Sequence, residues 1–216
     1  MIVNKPHGIP TGYGKQHNLC ELVFYDFPEL AEVTGFHAHE GGLLNRLDND
    51  TGGIVLFAKN QQAFSYYSQL MKEEKIEKSY TALVQGCPTV KKGVIYTPIA
   101  HHPRNTKKMV AVTHDNIQYR GRKQSAQTSW EVIESNCGYA LIKIRIKKGR
   151  RHQIRVHLAS IGCPIVGDKL YNKTIYSFSN HLLFANGIDL MNMDQQQIHM
   201  EVNVPFQHSL TTQHFL

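Results

Sequence analysis

Residues 126–146 read AQTSWEVIESNCGYALIKIRI, and this stretch decides the fold. In its second half Ile142, Ile144 and Ile146 alternate with Lys143 and Arg145. A period of two puts the isoleucines on one face of a strand and the cations on the other. The segment AQTSWEVIE reads as its partner, and SNCG between them supplies the turn, so the spacing predicts an antiparallel pair. Working outward, GIVLFAK (53–59) reads as a buried strand, and KSYTALVQG (78–86) as another, from its β-branched and aromatic content. QIHMEVNVP alternates again, with Ile198, Met200, Val202 and Val204 on one face. IVNKP ends a strand at Pro6 and Gly8. Residues 91–124 suggest short strands joined by charged loops, and residues 9–44 mostly loop, with a short helix near Leu19 to Tyr25. Two helices stand out. One follows Asn60 as N-cap with Phe64, Tyr67, Leu70 and Met71 as its apolar stripe. The other lies in GRRHQIRVHLASIG, with Ile154, Leu158 and Ile161 as the stripe and Gly162 as the C-cap. The expected class is α+β, a mixed, largely antiparallel sheet with flanking helices and loops, rather than a doubly wound fold.

The 216 residues are 41% hydrophobic, enough for a packed core. Twenty-four basic against 17 acidic residues leave a formal charge of +7, compatible with a phosphate-rich partner. Cys20, Cys87, Cys137 and Cys163 form no CxxC pair, which removes the sequence support for a zinc ribbon or a redox dithiol. Scattered thiols fit a reducing compartment. The start, MIVNKPHGIP, does not read as a signal peptide, and no window reaches the roughly eighteen apolar residues of a membrane span. The expectation is a soluble, cytoplasmic protein with no membrane partner.

Three places invite chemistry. In NRLDNDTGG (45–53) Asp48 follows Arg46 by two residues and precedes a Thr-Gly-Gly turn. A carboxylate there is a nucleophile, a ribose ligand or an ordinary turn residue. In KKGRRHQIR, Lys147, Lys148, Arg150, Arg151 and Arg155 gather with no acid among them. Arg151 and Arg155, four apart, are expected on one helix face near free N–H groups, a phosphate or carboxylate site or else a solvated basic face. Tyr80 is a core tyrosine or a functional one. His152 and His157 have no carboxylate or cysteine at ligand spacing, so no metal site is expected.

Together these segments resemble the RluA-type RNA pseudouridine synthases. That family's motifs run H-R-L-D-x-x-T-S-G, K-x-Y-x-A-L-V-x-G and G-R-x-H-Q-I-R-x-H-L-x-x-x-G-x-P-I-x-G-D-x-x-Y. Here they stand in the same order as NRLDNDTGG, KSYTALVQG and GRRHQIRVHLASIGCPIVGDKLY. VNKPHGIPT matches the usual N-terminal NKP-x-G, and HHPRNTKKMVAV with SAQTSWEV matches the middle region. The resemblance extends from Ile2 to about residue 190. Asn45 replaces the family's His, Gly52 its Ser, and Phe184 the His of LLHA.

The resemblance implies a pseudouridine synthase catalytic fold over residues 1–216 as a single domain, without the S4 domain that many members carry. It implies isomerisation of a uridine in rRNA or tRNA to pseudouridine, with no metal and no organic cofactor, by a monomer. Asp48 takes the place of the nucleophile, attacking C1′ or C6 or acting through a glycal. Tyr80 takes the place of the tyrosine that stacks on the base and can move a proton, and Arg155 that of the arginine that pairs with the aspartate. Arg46, Thr51, Lys78, Arg150, Arg151, His152 and Gln153 are the implied substrate-binding residues. Two rival readings are an RNA-binding protein of this fold without catalysis and a glycosidase using Asp48 with Asp50.

Overall fold

The computed structural model describes residues 1–12, 14, 17–177 and 180–206. In chain order the elements are β1 (Ile2–Lys5), α1 (Leu19–Asp26), a 3-10 turn (Pro28–Leu30), β2 (Gly52–Leu56), α2 (Gln61–Lys72) and β3 (Glu77–Gln85). There follow β4 (Lys92–Ile95), β5 (Ile99–His101), β6 (Met109–Ala111), β7 (Arg120–Gln124), β8 (Thr128–Asn136) and β9 (Tyr139–Ile146). The last are α3 (Gln153–Ser160), β10 (Leu183–Met191) and β11 (Gln197–Glu201). The chain divides into two compact units, Met1–Lys78 with Phe184–Val202, and Ser79–Leu183 with the remainder.

In the first unit β1 runs antiparallel to β2, with Ile2 opposite Leu56 and Lys5 opposite Gly53. β10 lies parallel to β2, and β11 pairs antiparallel with β10. The Gly52-Gly53 pair of NRLDNDTGG has a steric origin at this junction. A Cβ on Gly53 would run into the carbonyl of Ala185, its partner on β10, and Gly53 has φ +114°. Only glycine fits there. α2 starts where Asn60 Oδ1 accepts the Ala63 N–H at 2.8 Å, as its sequence predicts. Phe64 and Leu70 bury against Ile54, Leu56, Ile188 and Leu190, while Tyr67 and Met71 pack at the margin. β11 ends at Glu201, so Val202 and Val204 both lie beyond the strand.

In the second unit β3, β9, β8 and β4 follow one another across a sheet, and β5 is the middle strand of a small sheet between β6 and β7. The expected pair is present. Trp130 stands opposite Ile144 and Asn136 opposite Tyr139, with a register shift between Val132 and Glu134. Ile142, Ile144 and Ile146 are buried, and Arg145 points to solvent. α3 departs from its expectation at both ends. Ile161 lies past the helix and is 39% exposed, so the buried stripe stops at Leu158. At the front, His152 takes φ 54° and interrupts the chain before Gln153. Arg151 therefore precedes the helix and does not share a face with Arg155; it is exposed and Arg155 is buried.

Candidate active site

In the first unit, Asp48 sits half-buried on the loop that leads into β2. Several segments hold that loop. The Thr51 N–H donates to the Asp48 carbonyl at 3.0 Å and closes a turn. Thr11 locks Leu47 from both sides: its hydroxyl donates to the Leu47 carbonyl at 2.8 Å and accepts the Leu47 N–H at 3.1 Å. His7 Nδ1–H donates to the Asp50 carbonyl at 2.7 Å. Lys5 does the most. Its side chain is fully enclosed, and its ammonium donates to the carbonyls of Pro6 at 3.0 Å, Ile9 at 2.8 Å and Asn49 at 3.0 Å. Three donors meet three acceptors, which is how a lysine tolerates such a position. Burial still pushes the ammonium down to about 8, against the pull of Asp50 and Asp48.

The altered motif positions fit this frame. Asn45 Oδ1 accepts the Leu56 N–H at 2.7 Å and its amide donates to the Ile54 carbonyl at 3.3 Å, so the side chain ties the loop to β2. A Cβ on Gly52 would stand 2.7 Å from Phe184 Cε2 and 2.9 Å from His7 Nε2. Thr51 is buried, whereas Arg46 is exposed and its Nη1 lies 3.3 Å from Oε1 of the buried Glu40. Lys78 is half-buried on β3, and desolvation pushes its ammonium down to about 8.

The second unit holds Tyr80, buried on β3, and the residues around α3. Arg155, 6% exposed, pairs with Asp168, 1% exposed. Nε donates to Oδ2 at 2.7 Å and Nη2 to Oδ1 at 2.8 Å, a two-point contact along one edge of the guanidinium. Asp168 Oδ1 also accepts the N–H groups of Leu170 at 2.9 Å and Tyr171 at 3.2 Å. Burial pushes the Asp168 carboxyl up, but the hydrogen bonds and charge of Arg155, with His181 and the Leu170 N–H, outweigh it and hold the group below the usual carboxylate range. Asp168 and Lys5 are charged anchors without a role in the sequence expectations, although both stand inside the motifs GDKLY and VNKPHGIPT.

The remaining candidates divide between frame and surface. Gln153 is buried; its amide donates to the Gln127 carbonyl at 2.8 Å and its Oε1 accepts the Arg150 N–H at 3.0 Å. His157 is buried between the Thr97 carbonyl, which accepts Nε2–H at 2.8 Å, and the Thr128 hydroxyl, 2.8 Å from Nδ1. Burial pushes this imidazole down, so it is a neutral strut. His152 Nδ1 meets the Tyr171 hydroxyl at 2.9 Å. Arg151 is exposed, and Arg150 keeps a buried Nε with no hydrogen-bond partner among the described residues. Among the described residues no cluster of three or more His, Cys, Asp or Glu side chains has the makings of a metal site, and no helix is long and apolar enough to cross a membrane.

This arrangement of strands and loops is that of the pseudouridylate synthases. The structure superposes on human RNA pseudouridylate synthase domain containing 4 with a TM-score of 0.74 at 25% identity, over 97% of this chain and 88% of the human one. The sequence profile of the RNA pseudouridylate synthase family matches residues 1–160, and the chain belongs to that family. An uncharacterized RNA pseudouridine synthase of Bacillus subtilis (strain 168) is 34% identical over 87% of this chain and 60% of its own length. A ribosomal large subunit pseudouridine synthase D of Nitrosomonas europaea is 32% identical over 81% of this chain and 47% of its own. The chain spans 51 to 60% of the length of three bacterial relatives, the B. subtilis protein among them.

Proposed function

We propose that the protein isomerises a uridine in RNA to pseudouridine, with Asp48 as the nucleophile. The N1–C1′ bond breaks, the uracil turns and C5 bonds to C1′; C5 gives up its proton and N1 ends with one, so nothing is gained or lost. The observation that carries this reading is the family match over residues 1–160, a span that contains Asp48, Tyr80 and Arg155. The physical chemistry agrees with those roles. An ionised carboxylate needs a loop that holds still, and Lys5, Thr11 and His7 hold the one that carries Asp48. In this reading Arg155, held by Asp168, stands for the family's active-site arginine. Tyr80 stacks on the base and its hydroxyl moves a proton.

Arg46, Lys78, Arg150 and Arg151 are the proposed contacts to RNA, His152 a nearby support, and the buried Thr51 and Gln153 shape the ground behind them. Bringing the target base out of its stack costs a few kcal/mol, and phosphate contacts offset that cost. The names of relatives such as the N. europaea protein favour ribosomal RNA over tRNA as substrate, with the protein working as a cytoplasmic monomer. The experiment that tests the reading is a map of pseudouridines across rRNA and tRNA from cells with and without the gene. A site that disappears with the gene and returns with the wild-type protein but not with Asp48→Asn supports it. An unchanged map overturns it.

A further inference from the structure

We propose that Tyr171 is a positioning residue for Arg155, an inference that rests on the reading of Arg155 given above. Two routes connect them. The Arg155 Cζ lies over the Tyr171 ring, 5.3 Å from its centroid, a cation–π contact with the guanidinium. The backbone N–H of Tyr171 also donates to Asp168 Oδ1, the oxygen that receives Arg155 Nη2. The division of labour follows from geometry. Two parallel bonds to one carboxylate fix the guanidinium within the carboxylate's plane but leave it free to swing out of that plane. An aromatic ring against the guanidinium opposes that swing.

A ring can do this only if its own tilt is fixed, and Tyr171 is held by its far end. Its hydroxyl oxygen accepts the Met109 N–H at 2.8 Å, at the start of β6. The same oxygen stands 2.9 Å from His152 Nδ1, on the residue whose φ of 54° turns the chain into α3. The His152 ring meets the Tyr171 ring edge-on, with centroids 5.7 Å apart and planes at 85°. Lys108, next to Met109, brings its ammonium to 5.9 Å from the same centroid. Tyr171 thus ties together the end of the basic 102–108 loop, the entrance of α3 and the guanidinium. Bonded at two points, the hydroxyl fixes the tilt of the ring that lies against the guanidinium.

The test compares Tyr171→Phe, which keeps the ring and loses both anchors, with Tyr171→Leu, which loses the ring. Each is made in the wild-type and the Arg155→Lys backgrounds. The probe is ribosomal RNA extracted from cells lacking the gene, with pseudouridine formation followed under single-turnover conditions and binding measured separately. The expected result is a slowing of about a hundredfold for Tyr171→Leu, the scale of an ångström-sized misplacement. Tyr171→Phe should fall between it and wild type, and RNA affinity should stay within about threefold, since no phosphate contact is removed. In the Arg155→Lys background the Leu substitution should add less than about twofold, because residues that act as a unit are not additive. A wild-type rate for Tyr171→Leu, or an equal slowing in both backgrounds, overturns the proposal. If Tyr171→Leu does not fold by circular dichroism, an unchanged rate for Tyr171→Phe overturns it alone. A wild-type rate for Arg155→Lys with slow Tyr171 variants would instead remove the role of Arg155, and with it the route proposed here.

Discussion

Phe184 and Gly52 share one space. They face each other across the parallel β2–β10 contact, and a Cβ at position 52 would reach within 2.7 Å of the Phe184 ring. The family's Ser and His at these places are both absent here, and the contact couples the two positions sterically. The larger ring takes the volume that a serine side chain would fill. His7, whose ring centroid is 5.6 Å from that of Phe184, completes the cluster and holds the Asp50 carbonyl.

Gly52→Ser should therefore destabilise the protein by about 1–3 kcal/mol, as overpacking does. Adding Phe184→His should recover much of that loss. Urea unfolding of both single variants and the double variant gives the coupling. Additive losses would mean that the two positions do not compete for one space.

Asp48→Asn should keep the fold and abolish isomerisation, because an amide is nearly isosteric but a far weaker nucleophile. RNA affinity should change little, since no positive charge is lost. Circular dichroism, a binding titration and a single-turnover assay check the three parts. Substantial turnover in a purified variant would remove Asp48 from the chemistry.

Tyr80→Phe should lose turnover more than binding. The ring remains for stacking and the hydroxyl goes. A wild-type single-turnover rate would make this buried tyrosine a packing residue.

Regular elements were the legible part of the sequence. The β8–β9 pair follows from alternation, and α2 follows from the Asn60 cap and a stripe that ends in Phe64 and Leu70 contacts. Both signals are local, within reach of a few residues. What escaped depends on distant chain segments or on a single backbone torsion. Nothing in GRRHQ announces that His152 adopts φ 54°, yet that angle separates Arg151 from the helix face of Arg155. The enclosure of Lys5 needs carbonyls from residues 6, 9 and 49, and one of these is 44 positions away. The partnership of Arg155 with Asp168 joins a helix to a loop 13 residues on. Motif resemblance spanned Lys5 and Asp168 without saying what they touch.

Replacing Arg104 and Lys107 by alanine should weaken RNA binding almost regardless of RNA sequence, and so should replacing Lys147, Lys148 and Arg151. All five side chains are exposed, and phosphate contacts position without specifying. Each lost contact to single-stranded RNA should flatten the slope of log affinity against log salt by roughly 0.7. Lys108 belongs outside this set because it lies beside Tyr171. Titrations at several salt concentrations decide the matter. Unchanged affinity and slope would make these residues a solvated face.

Asp168→Asn should destabilise the protein at neutral pH by about 3–5 kcal/mol, the usual cost of breaking a buried ion pair from one side. The pH dependence has a fixed sign. The native Asp168 carboxyl sits below its ordinary value, so the unfolded chain binds this proton more readily than the folded one. The stabilisation is fully present above the unfolded value of about 4 and is lost as pH falls through the lower native value. Groups that titrate equally in both proteins cancel in the difference. The gap between wild type and Asp168→Asn, measured by urea unfolding, should thus stay level from pH 8 to about 5 and narrow toward pH 3. A gap that holds its size at pH 3 would show that the charge on Asp168 contributes nothing, and that its hydrogen-bonding shape alone holds Arg155.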